Sequence, residues 1–184
     1  TKNIGDKELI LNTEIFNHQY VSREAVVKHL PLAIETELQV GDNIIIHHNV
    51  FRRWHNIRGE EKNSRSYIDE NTYCVKQDQI YSYNRNNQGW KTLNGYCFVK
   101  PIKSNDNFVT EKEELFVGVM KYMDPLLQEY NISEGDLVGF TPDSEYEFVI
   151  DGERLYRVLT TDISLRYEYK GNEEEHNPSW ASSS

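Results

Sequence analysis

Leu38-Gln39-Val40-Gly41-Asp42-Asn43-Ile44-Ile45-Ile46 decides the fold, because it returns in the second half of the chain as Ile132-Ser133-Glu134-Gly135-Asp136-Leu137-Val138-Gly139-Phe140. Each stretch is a turn feeding an apolar strand. Gly-Asp is good turn chemistry, since glycine tolerates positive φ and aspartate bonds to nearby backbone. A single Gly-Asp pair is common, so the weight lies in what flanks it. Downstream, Tyr73, Val75 and Ile80 match Tyr156, Val158 and Ile163 at one constant offset, in runs that alternate as half-buried strands do. Upstream, Leu9-Ile10-Leu11 and Cys97-Phe98-Val99 each open a half. Ala25-Val26-Val27 and Phe116-Val117-Gly118-Val119 precede the two Gly-Asp turns at similar distances. Four correspondences in one order predict a tandem duplication.

The predicted boundaries follow from this repeat. A first unit spans residues 1–84, a polar linker 85–89, a second unit 90–169, and an acidic, then Ser-rich tail 170–184. Residues 52–66, reading RRWHNIRGEEKNSRS, have no counterpart after Phe140 and are expected to protrude as a hairpin or loop. Val75 and Val158 are expected on equivalent buried faces.

Composition narrows the function classes. The 184 residues include 12 Tyr and 7 Phe, which favours strands over helices. A formal net charge of −10 disfavours nucleic acid or an anionic membrane as the main partner. No apolar run is long enough for a transmembrane helix, and no signal peptide is expected. Cys74 and Cys97 read as two buried thiols in a reducing compartment rather than as a disulfide framework.

The order strand, polar loop, strand, Gly-Asp turn, strand, hairpin, strand resembles the GroES co-chaperonin family. The second half carries the likeness best, in Gly118-Val119, Gly135-Asp136-Leu137-Val138, the hairpin-like run Glu147–Glu153, Tyr156 and Asp162-Ile163. The resemblance implies an all-β chain with two tandem small GroES-like β-barrels, associating into a homo-oligomer or another symmetric array. In that family an apolar hook on a flexible loop binds the chaperonin. The candidate here is Phe108-Val109 within residues 103–114 (KSNDNFVTEKEE), which lacks the family's glycines. The pair either serves as a hook or packs against its own barrel.

His47 and His48, adjacent on an expected strand, would point to opposite faces and so cannot share a metal. Carboxylates are abundant, but no phosphate loop, nucleophile elbow or Cys/His dyad spacing marks an enzyme, and no cofactor is implied. Arg52, Arg53, Trp54, His55, Arg58, Lys62 and Arg65 form a basic, aromatic cluster in an acidic chain. This composition suits docking on an acidic protein surface better than nucleic acid, with a plain solvated hairpin as the competing reading. Trp54, Arg58 and the tail residue Trp180 are the expected partner anchors. The expected function is a non-enzymatic assembly or virion-associated protein, in a host cytoplasm or a virion, with a capsid component among its partners. Such barrels occur in bacteriophage-encoded co-chaperonins, so the alternative is a co-chaperonin that caps a chaperonin.

Overall fold

The computed structural model describes residues 2–4, 7–9, 23–104, 113–168 and 174. Its strands are β1 (Lys2–Ile4), β2 (Lys7–Leu9), β3 (Glu24–Val26), β4 (Asn43–Ile46), β5 (Arg53–His55), β6 (Glu61–Asn63), β7 (Tyr67–Asp69) and β8 (Thr72–Tyr73). There follow β9 (Ile80–Asn84), β10 (Trp90–Thr92), β11 (Tyr96–Lys103), β12 (Glu113–Tyr122), β13 (Leu137–Phe140), β14 (Tyr146–Ile150), β15 (Glu153–Leu159) and β16 (Ile163–Tyr167). Five short hairpins and sheets result, of which two carry the architecture. A four-stranded antiparallel sheet runs β10-β9-β4-β3, and a six-stranded one runs β14-β15-β11-β12-β13-β16. The chain is all-β. Neither sheet closes into a barrel among the described residues, because β3 and β10 on one and β14 and β16 on the other end without a further partner.

One three-stranded unit nevertheless occurs twice with the same register. In the first copy Val26 pairs Asn43, and Asn43 pairs Asn84; in the second Val119 pairs Leu137, and Leu137 pairs Tyr167. Both copies slip register at the same place, between Ile45 and Ile46 and between Gly139 and Phe140. The Gly-Asp turns are made by identical bonds. Gly41 N–H donates to Val27 O at 2.8 Å and Gly135 N–H to Met120 O at 2.8 Å; Val27 N–H and Met120 N–H donate back to Asp42 O and Asp136 O at 2.9 Å. Each aspartate side chain then accepts the N–H three residues earlier, from Gln39 at 2.7 Å and Ser133 at 2.8 Å. Positive φ at Gly41 (95°) and Gly135 (89°) explains the glycines.

The copies differ on one flank. In the second, β11 lies against β12 and on its other side against β15. In the first, among the described residues, β3 is a sheet edge and β2 pairs only with β1. The difference is written in one residue. A Cβ on Gly118 would sit 2.5 Å from Lys100 O and 2.6 Å from Val99 Cγ1, so β11 can approach only a glycine. Ala25 occupies that position in the first copy, where no counterpart of β11 lies among the described residues.

Three expectations change. Residues 85–89 are not an inter-unit linker but the turn of the β9–β10 hairpin, with Asn86, Asn87 and Gly89 at positive φ, so Trp90–Thr92 belongs to the first sheet. Val158 is fully buried in β15, whereas Val75 is half-buried and outside any strand. Among the described residues no counterpart of β11 gives the segment after β8 a ladder to join. Cys74 is exposed and only Cys97 is buried.

Three clusters form the core. One fills the second unit around Val99, Met120, Val138, Phe140 and Val158. Another lies in the first, around Val27, Leu38, Ile44, Ile46 and Val50. The third joins the two sheets through Ile45, Tyr81, Trp90, Phe98, Phe148, Ile150 and Leu155. Ile45 and its neighbours Ile44 and Ile46 thus pack on opposite faces of one strand, as alternation requires. The glycine constraint gives a direct test. Gly118→Ala is expected to destabilise by about 2–3 kcal/mol, while Ala25→Gly costs about 0.5–1 kcal/mol, measured by urea unfolding of the two variants.

Candidate protein-docking site

The open flank of the first unit is a groove. A cavity of about 1610 Å³ opens between β3, the irregular segment that follows it, and the β7–β8 hairpin. Its floor is apolar: Ala25, Val27, Leu38, Ile44, Ile46, Val75 and Ile80 line it. Its rim is apolar too, and exposed, with Val26 at 63 %, Ile34 at 54 %, Val40 at 63 % and Ile68 at 61 % of full accessibility. Apolar side chains clustered at that exposure around a concave surface mark an interaction site. The ionic character is inverted relative to the chain. Among the described residues, Lys28, Arg52, Arg53 and Lys76 line the cavity with Glu24 as the single carboxylate, although acidic residues outnumber basic ones 30 to 20 overall. Arg53 also reaches Glu61 across the β5–β6 hairpin at 3.8 Å, an exposed pair of little energetic weight.

That hairpin is the sequence-predicted insertion, and it stands at the groove's mouth. Trp54 is 39 % exposed, with the Arg52 guanidinium over its indole at 5.8 Å. Arg58 lies in the tight turn, its N–H held by Asn56 Oδ1 at 2.9 Å. Arg52 and Arg53 therefore line the groove, while Trp54 and Arg58 extend beyond it. Phe108, Val109 and Trp180 lie outside the described residues, as do Ile10, Leu11 and residues 13–22. The lining residues Leu30, Ile34, Val40 and Ile68 were not singled out from sequence. For Leu30, Ile34 and Val40 the signal is an apolar run between β3 and the Gly-Asp turn, which reads as ordinary connector without the knowledge that β3 is an edge; Ile68 lies in β7.

Behind the groove, the joint between the sheets is built from cations and rings. Arg23 is buried and donates to Glu147 O, with its guanidinium 4.2 Å from the Phe148 ring centre and 5.2 Å from that of Tyr146. Arg157 lies over Tyr81, Tyr96 and Tyr146 at 4.9 to 5.5 Å. One expectation is corrected here. β4 ends at Ile46, and His47 caps a short 3-10 helix (His48–Phe51), so the two histidines do not alternate along a strand. Their rings stack at 4.5 Å, and His48 stacks in turn on Tyr146 at 5.5 Å. Among the described residues no three His, Cys, Asp or Glu side chains converge as metal ligands.

Further polar clusters hold the second unit together. Cys97 Sγ lies 3.5 Å from Thr160 Oγ1, which donates to Asp124 Oδ2 at 2.9 Å; burial pushes the thiol pKa up, which makes it a poor nucleophile. Arg154 is bound by Glu113, Glu147 and the Tyr156 hydroxyl, and Glu153 is shared by Lys100 and Lys121. These are closed ionic networks with their valences used. A scan against protein-family models gives no match, and no curated protein matches the chain.

The joint has a pH signature. His47 Nδ1 accepts the Asn49 N–H at 3.1 Å, so the cap requires a neutral ring. Burial, then Arg157 and Arg23, hold its pKa below the usual histidine value, against the weaker pull of Asp78. A histidine depressed in the folded state contributes stability that is present above its unfolded pKa and lost as pH falls through its folded value. Stability is therefore expected to decline below about pH 6.5, and His47→Gln should flatten that decline in urea melts run across the pH range.

Proposed function

We propose that the protein is a non-enzymatic protein-binding assembly protein, built from two GroES-like β-barrel units in tandem. The single observation that carries this reading is the groove of the first unit, an exposed apolar concavity with a cationic rim on an otherwise acidic chain. It supports docking because burying such a rim removes apolar surface from water at about 25 cal/mol per Å². The basic and aromatic hairpin beside it supplies residue types that dominate protein interfaces. The repeated register and turn bonding support two units of one fold, and the fold's likeness to GroES rests on the sequence motifs alone. A symmetric array, with a virion or capsid setting, follows from that likeness.

The test is self-association. Light scattering across a concentration series is expected to show species above the 21.7 kDa monomer. Trp54→Ala and Arg58→Ala should move that equilibrium toward monomer by at least tenfold in Kd, since truncating an interface anchor costs roughly 1.4 kcal/mol or more. Their thermal midpoints should stay at the wild-type value, because both side chains are exposed. A wild-type chain that remains monomeric at every concentration would defeat the array.

A further inference from the structure

We propose that β3 is an acceptor edge, and that its occupant is an extended, acidic segment of a protein partner, apolar at alternate positions. This rests on the protein-binding reading above and names what the groove takes. The second unit supplies the template: where the first unit has an open edge, β11 lies antiparallel on β12 with Val99 and Cys97 in the core. The first unit has the same β3–β4–β9 register and the same apolar floor, with that place open among the described residues.

The edge carries the right hydrogen-bonding groups. Val27 N–H and O and Arg23 O are bonded inward, toward the β4 side. Alternation along a strand then turns the N–H and C=O of Glu24 and Val26 outward, to the free edge. An extended peptide satisfies such groups with its own backbone and places alternate side chains into the cavity behind, the general mode of strand addition. Ala25 stands where the second unit has Gly118, so the added strand sits farther out than β11 does, and the cavity has room for its inward side chains. Charge selects the occupant. Lys28, Arg52, Arg53 and Lys76 surround the apolar floor against Glu24, so carboxylates between the apolar positions meet cations. The chain's net charge of −10 disfavours an acidic peptide over the surface as a whole, so a local cationic rim discriminates.

The experiment uses the full chain and a fluorescein-labelled eight-residue peptide of alternating Val and Glu, followed by fluorescence anisotropy. Saturable binding is expected, with the Val/Lys peptide of the same length at least tenfold weaker. Val26→Pro removes one outward N–H without touching a bond to β4, and edge positions tolerate proline; it should cost at least tenfold in affinity with the thermal midpoint held. Should that variant unfold, the exposed double reversal Lys28→Glu with Lys76→Glu decides instead, and is expected to invert the preference toward Val/Lys. Equal binding of both peptides, or full affinity in Val26→Pro, overturns the proposal. No binding to the full chain overturns it as well, whether the chain's own residues or a second copy fill the groove. Self-association without peptide binding would remove this proposal and leave the assembly reading intact, while peptide binding by a strictly monomeric chain would do the reverse.

Discussion

The second unit depends on β11 being hydrogen-bonded on both sides. It holds β12 on one edge and β15 on the other, buries Cys97, Phe98 and Val99 completely, and requires Gly118 opposite it. Take that strand away and three consequences follow from backbone bonding alone. The strand in β12's place becomes an edge, the strand in β15's place loses its ladder, and the floor between them opens to solvent. The first unit shows all three, in β3, in the segment around Val75, and in the groove. A neighbour not found among the described residues accounts for these three departures, in two copies that share register, bulge and turn.

What survives in both copies is the Gly-Asp turn, and the reason is electrostatic as well as geometric. Asp42 is 2 % exposed, a burial that a carboxylate tolerates only when its oxygens are bonded. Arg85 donates to both oxygens at 2.8 and 2.9 Å, and the Gln39 N–H adds a third bond; Arg85 foremost holds the Asp42 pKa below its ordinary value. In the second copy Arg166 meets Asp136 from an adjacent strand at 3.0 Å, in a more exposed pair. A turn pinned at its aspartate fixes which residues of β4 and β13 face inward, and so fixes the two cores.

Much of this architecture was legible in sequence, because it is encoded locally. Gly41-Asp42 and Gly135-Asp136 announce turns by chemistry, and Ile80 and Ile163 start matching strands after matching short helices. The hairpin at residues 53–63 was visible as polar sequence with a glycine. What failed was whatever depends on a distant neighbour. Val75 and Val158 sit at one sequence offset, yet only Val158 has a β11 beside it. The stretch 85–89 has a linker's composition and is a hairpin turn, since Asn and Gly serve either role. His47 and His48 left strand geometry because β4 ends one residue before them. The groove was the least legible feature, being defined by what does not cover it.

The joint between the sheets turns this asymmetry into a single object. Ile45 and Tyr81 of the first sheet meet Phe98, Phe148 and Leu155 of the second, with Arg23 and Arg157 set against the rings. The first sheet is therefore supported on its inner face by the second unit while its other face looks into the groove. Native-state hydrogen exchange tests the central asymmetry most directly. The account predicts fast exchange at the amides of Glu24 and Val26, on the open edge, and slow exchange at their counterparts Val117 and Val119, on the β11 side of β12. Equal, strong protection at all four would mean that a strand already occupies β3, and would contradict the account.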